Sequence, residues 1–184
     1  MTCDARPSTI SGRRLRVLQH DLDRQVDLQN SRIADLGSPS RCRRGCDACC
    51  HNWVDALPEE ARAILEAIRA REGAAGVAAL VVAANEHVAA ARAAGNSRAW
   101  FLLRRPCLFL RDGACTVYAQ RPFTCRAYHV TSEPADCSLE RPGAPVIRVN
   151  HLPAMRAYLD HFGSCTDFLP ALVVAQAEDK TPWT

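Results

Sequence analysis

Along the 184-residue chain, hydrophobic residues recur mostly at helical spacing. From Ser11 to Leu36, apolar Leu15, Leu18, Leu22, Val26, Ile33 and Leu36 are separated by charged and polar residues. Steps of three and four place them on one face, so a long amphipathic helix is predicted over 9–37, stopped by Gly37 and Pro39. Asp55 followed by Pro58-Glu59-Glu60 reads as the next helix start, with Val54 and Leu57 buried before it. Ala61, Ile64, Leu65 and Ile68 carry that helix to Gly73. An alanine-rich helix then runs from about 75 to 94 and ends at Gly95-Asn96. A last stripe, Leu152, Met155, Leu159 and Phe162, ends at Gly163, before an apolar segment over 168–177. His87 lies among alanines and carries little weight as a functional residue, and Glu59 and Glu60 are expected at a helix start for dipole reasons alone.

Only one place reads as strands, the two β-prone runs on either side of Asp112-Gly113. Two registers are open for this hairpin. A two-residue loop at Asp112-Gly113 pairs Leu110 with Cys115 and puts Cys107 on the other face. A three-residue loop over 111–113 pairs Phe109 with Cys115 and brings Cys107 and Cys115 to one face. The second is expected if both cysteines act together.

The ten cysteines change the picture. Four fall within nine residues, Cys42, Cys46, Cys49 and Cys50, just after the break at 37–40. In Cys46-x-x-Cys49 a tight turn lets two thiolates reach one metal ion, and Gly45 suits the positive φ of such a turn. A chain of this length can bury a core without disulfide staples. The segment 1–7 is polar and lacks the apolar region of a secretory signal. The longest apolar run, 73–84, is too short and alanine-rich to span a membrane. A bacterial-type cytoplasmic location is therefore expected, where ten reduced cysteines point to metal rather than disulfides. The net charge of +3 is mild and argues against a nucleic-acid partner on electrostatic grounds. Arg41, Arg43 and Arg44 form the local excess and are read first as compensation for thiolate charge.

More thiols follow. Cys107 and Cys115 flank the hairpin, and Cys125 sits in Gln120-Arg121-Pro122-Phe123-Thr124-Cys125-Arg126, where Pro122 suits the first helical position. Arg126 is placed to hydrogen-bond a thiolate or carboxylate. The proline-marked loop over 131–149 contains Cys137. Taken together these segments predict a mainly α, irregular α-rich single domain over 1–184, with a short hairpin and a cysteine-lined metal cluster at its centre. Its parts are a loose tail (1–8), the amphipathic helix (9–37), the cysteine core (42–137) and C-terminal helices (151–177).

The strings CRRGCDACC and PCLFLRDGACTVYAQRPFTCR, with a helix beginning PEEA between them, resemble a bacterial cysteine-cluster family described as zinc- or iron-chelating (CxxCxxCC, YkgJ-type). The likeness covers 42–129 and continues weakly through Cys137. It implies Cys42, Cys46, Cys49, Cys50, Cys107, Cys115 and Cys125 as metal-binding residues, with Cys137 as an eighth. Pro106, Gly113, Tyr118, Arg121, Pro122 and Arg126 match at other positions. The gap between Cys42 and Cys46 holds three residues instead of two. The cysteine motif is also similar to that of larger flagellin lysine N-methylases, which implies an iron–sulfur alternative, although no methyl-donor site is visible.

Seven or eight thiols exceed the four that one zinc takes, and adjacent Cys49 and Cys50 are expected to diverge. The surplus favours a polynuclear zinc centre or an iron–sulfur cluster. His51 and His129 stand beside thiols, either as ligands at an open position or as hydrogen-bond partners of ligands. Cys3 and Cys165 lack partners at chelating spacing and are expected to lie outside the centre. No Ser-His-Asp set, phosphate loop or HExxH pattern is present. Three classes remain: a metal-binding protein, an iron–sulfur-dependent enzyme or modification accessory, and a zinc-stabilised interaction module. Metal ions are the expected partners, with a protein partner left open and no membrane.

Overall fold

The computed structural model describes residues 11–43, 45–141, 143–162 and 166–178. It is mainly helical, as the periodicity predicts, with two small two-stranded sheets. Helix α1 spans Gly12–Asp35, and the Ser11 hydroxyl accepts from the Arg14 amide at its start. Leu15, Leu22 and Val26 turn inward against Leu57, Phe123, Ala127 and Tyr158. The stripe leaves the core in its last turn, where Leu36 is 79% exposed.

Strand β1, Asp55–Ala56, pairs antiparallel with β4, Asp167–Phe168. Asp55 is therefore a strand residue, not the helix start expected of it. Helix α2, Pro58–Ala94, is capped instead by Leu57, whose amide donates to Glu60 Oε2 at 3.1 Å. At Gly73 the backbone takes φ 69° and ψ −165°, which breaks α2 into the two stretches anticipated. Such a φ costs glycine little and other residues more. With mean hydropathy 1.5 over an 18-residue window, α2 is the one described helix long and apolar enough to cross a membrane by length and composition. The run 73–84, read from sequence as too short to span, is thus part of a longer helix.

Helix α3, Ser97–Leu103, was not anticipated; Asn96 caps it and Trp100 is buried from it. Strands β2, Leu110–Arg111, and β3, Ala114–Cys115, form the expected hairpin. Pro122 precedes helix α4, Phe123–Arg126, and is its cap rather than its first residue. Helix α5, Leu152–Leu159, buries Tyr158, and Met155, Leu159 and Phe162 of the expected stripe pack on the same cluster, whereas Leu152 is 68% exposed. Its expected stop, Gly163, lies outside the described residues. Helix α6, Leu169–Glu178, packs on α2, and Ile64, Leu65, Ile68 and Ala84 meet Leu169, Leu172 and Val173 in the largest apolar cluster. Leu108, Phe109 and Val117, around the hairpin, close this cluster and tie the cysteine segments to the main core.

Candidate metal centre

In the first cysteine segment, Gly45 takes φ 86°, as the tight-turn reading requires. A 3-10 turn over Ala48–His51 follows, with the Cys50 amide donating to Asp47 O at 2.8 Å. This turn keeps the Cys49 and Cys50 side chains in contact, where divergence was expected.

The second segment corrects the hairpin register. Leu110 pairs with Cys115, and Asp112 (φ 49°) and Gly113 (φ 71°) form the two-residue loop. Both central residues with φ above zero are the mark of a type I′ turn, which matches strand twist better than the longer loop. Cys107 still reaches Cys115, because it is not on the strand. Residues 107–110 form a turn closed by the Leu110 amide on Cys107 O at 3.0 Å, so alternation does not govern where Cys107 points. The Cys107 amide in turn donates to Cys50 O at 2.7 Å, stitching the two segments together across 57 residues of chain.

All eight described cysteines are free thiols; Cys3 and Cys165 lie outside the described residues. Six of the eight sort into two lobes. Cys42 and Cys46 pack with buried Cys137 in a small cluster with Ala48 and Val130. Cys107 and Cys115 pack against the main core, and Cys125 interacts electrostatically with both. Cys49 is the common neighbour: it acts on Cys42 and Cys137 in one lobe and on Cys107, Cys115 and Cys125 in the other.

Proximity makes these thiols hard to ionise together. The Cys50 side chain, then burial, push Cys49 far above the usual thiol range. Burial, reinforced by neighbouring thiols, raises Cys107 and Cys137 to about 11 each and carries Cys125 higher still. Cations near the thiols are few: Arg111 acts on Cys107 and Arg121 on Cys115. Arg41 pairs with Glu133 at 3.3 Å on the surface, and Arg44 lies outside the described residues. A crowd of largely half-buried thiols whose protons are hard to lose has the chemistry of a soft-metal site, since a cation lets the protons leave. Among the described residues no three His, Cys, Asp or Glu side chains stand ready-closed around one ion. The donor set fits a thiophilic metal in kind.

Arg126 does not serve a thiol. It is 4% exposed, donates from Nε to Arg121 O and from its terminal nitrogens to Ala119 O and Asp23 Oδ2, and so clamps α4 to α1. Glu60 was given no role beyond the dipole, yet it is fully buried. Its Oε1 accepts from the Phe123 amide at 2.8 Å and from the Tyr158 hydroxyl at 2.9 Å. Burial lifts its carboxyl to about 7. The available signal was a glutamate at the third helical position, whose carboxylate turns back to accept from the amide before the helix.

A cleft of about 1080 Å³ opens beside the centre, and Cys49, Cys125 and Cys137 line it. Tyr128, His129, Arg148 and His151 stand on its walls. His129 stands against His151, ring centroids 5.5 Å apart, in the wall of the cleft that Cys49, Cys125 and Cys137 also line. His51 keeps Nδ1 buried without a hydrogen-bond partner among the described residues. His87 is a satisfied interior histidine, its ring nitrogens 2.9 Å from Ala83 O and 3.0 Å from Pro106 O.

Clustered free thiols, drawn from segments distant in sequence, define a cysteine-rich metal-chelating protein. A family model covering residues 41–142, more than half of the chain, matches with the description "Putative zinc- or iron-chelating domain". The chain belongs to this CxxCxxCC family. Neither a curated protein nor a solved structure matches it.

Proposed function

We propose that the chain chelates zinc or iron in one polynuclear thiolate centre in which Cys49 is the shared ligand. The observation carrying this reading is the position of Cys49 between two three-thiol lobes. Four thiolates complete a tetrahedral zinc. Cys42, Cys46 and Cys137 with Cys49 make one such set, and Cys107, Cys115 and Cys125 with Cys49 make another. Cys50, in contact with Cys49, is a further thiolate for a bridging arrangement. Thiolate-bound metal holds together segments that the unfolded chain cannot preorganise, so it also adds folding free energy. The cleft beside Cys49, Cys125 and Cys137 supports a centre that exchanges or delivers metal rather than one sealed for structure. The same opening is what favours the second reading, an iron–sulfur-dependent enzyme, because a substrate could approach the cluster.

Elemental and acid-labile sulfide analysis of anaerobically purified full-length protein tests this. The expected result is more than one metal ion per chain, without sulfide, falling by more than half in Cys49→Ser. One ion per chain, or metal retained in Cys49→Ser, defeats the shared centre. Stoichiometric sulfide with a brown colour transfers the assignment to the iron–sulfur reading.

A further inference from the structure

A second donor pair, both imidazoles, stands in the wall of the cleft. His151 immediately precedes α5 and is 3% exposed, while His129 is half-buried after α4. Their rings meet edge to face, with centroids 5.5 Å apart and planes at 78°. Among the described residues, neither ring nitrogen of His151 nor Nδ1 of His129 has a hydrogen-bond partner. A buried polar atom left this way is costly, so the arrangement calls for a ligand. His87, equally interior, has both nitrogens beside carbonyls and shows what a structural histidine looks like in this fold.

The environment suits a cation's ligands. Burial, then the neighbouring His151, hold His129 down to about 4, and burial lowers His151 as well. Both rings are therefore neutral near pH 7, the form that offers a lone pair to a metal. With Zn–N bonds of about 2.0–2.1 Å, two imidazoles on one tetrahedral ion have centroids roughly 5 Å apart. The observed spacing is close to that. Asp27 and Asp23 on α1 favour positive charge at His129, and Arg121 opposes it. No third His, Cys, Asp or Glu completes the set among the described residues, and both rings line the cleft.

We propose that His129 and His151 bind one divalent transition-metal ion, distinct from the thiol centre, with its remaining coordination positions open to the cleft. Imidazole nitrogen selects zinc, nickel, cobalt or iron over the hard cations magnesium and calcium. Water or an anionic ligand entering from the cleft fills the open positions, which is the arrangement of a reactive rather than a structural site.

The test uses full-length protein whose thiol centre is loaded with zinc, titrated with Co²⁺. Wild-type protein is expected to take up one Co²⁺ per chain with weak visible bands and no sulfur-to-cobalt charge transfer. Affinity should fall at least tenfold in His129→Ala and in His151→Ala, and stay unchanged in His20→Ala, an exposed position on α1. Unchanged affinity in the first two variants, no saturable uptake, or new sulfur-to-cobalt bands each overturn the proposal. Imidazole nitrogen NMR of the wild type needs no variant: both ring signals should move together on metal addition, and static signals overturn the assignment. The thiol centre is read through sulfur charge transfer and this site through its absence, so either assignment can fail alone.

Discussion

The two thiol lobes are built on different foundations. Cys107, Cys115 and Cys125 rest on the main apolar core and on two buried polar anchors, Glu60 from α2 and the Arg126–Asp23 clamp to α1. Cys42, Cys46 and Cys137 sit in a small satellite cluster, held by a turn and a proline-marked loop. On the proposed reading, the contrast predicts that the second lobe is positioned by the fold before metal arrives and that the first depends more on metal to hold it. Cys49 and the hydrogen bond from the Cys107 amide to Cys50 O join them.

The largest effect is expected from cutting the second lobe's clamp. Arg126→Met leaves the Ala119 and Arg121 carbonyls without their donor and the half-buried Asp23 carboxylate with only its longer pair to Arg121 at 3.6 Å. Urea unfolding of metal-free protein should show a loss of about 3–4 kcal/mol. A loss below about 1 kcal/mol would remove the distinction between the lobes.

Glu60→Gln comes next, at about 2–3 kcal/mol, because an amide cannot accept from the Leu57 and Phe123 N–H groups and Tyr158 O–H on both of its ends. Its signature is in the pH dependence. Burial lifts the folded carboxyl to about 7, whereas the unfolded chain titrates at about 4.3. The fold binds this proton more tightly, so stability is highest below the unfolded value and declines as pH rises to about 7. The Gln variant should lose that slope. A wild-type slope of opposite sign over the same interval would show that Glu60 is held ionised.

Coupling between lobes is the third expectation. Cys46→Ser and Cys125→Ser should each lower metal content and thermal stability of loaded protein, and the double variant should fall short of the sum by about 1–3 kcal/mol. Additive losses would mean separate sites. In metal-free protein the coupling should vanish. The smallest effect is at the hairpin tip: Gly113→Ala, at φ 71°, should cost about 1 kcal/mol in chemical denaturation and spare metal content.

Helix existence and the cysteine segments were legible in the chain because both are local. Steps of three and four reveal a helix whatever it packs on, as in α1, and four thiols in one turn announce their chemistry by density. Positive φ at Gly45 was equally readable, since glycine tolerates it best. The two-residue strands β1 and β4 were not, because a pair that short gains its stability from a partner more than a hundred residues away. The hairpin register went wrong for a related reason. Alternation was applied to Cys107, which a turn removes from the strand.

By itself, then, the sequence determined a mainly helical chain of the CxxCxxCC zinc- or iron-chelating family, because periodicity, turn chemistry and thiol spacing are properties of neighbouring residues. Only the tertiary structure decided that the thiols divide into two lobes about Cys49, that Arg126 reaches Asp23 instead of sulfur, and that His129 faces His151. Burial and long-range proximity set a side chain's charge state and partners, and both depend on which distant segments the core brings together.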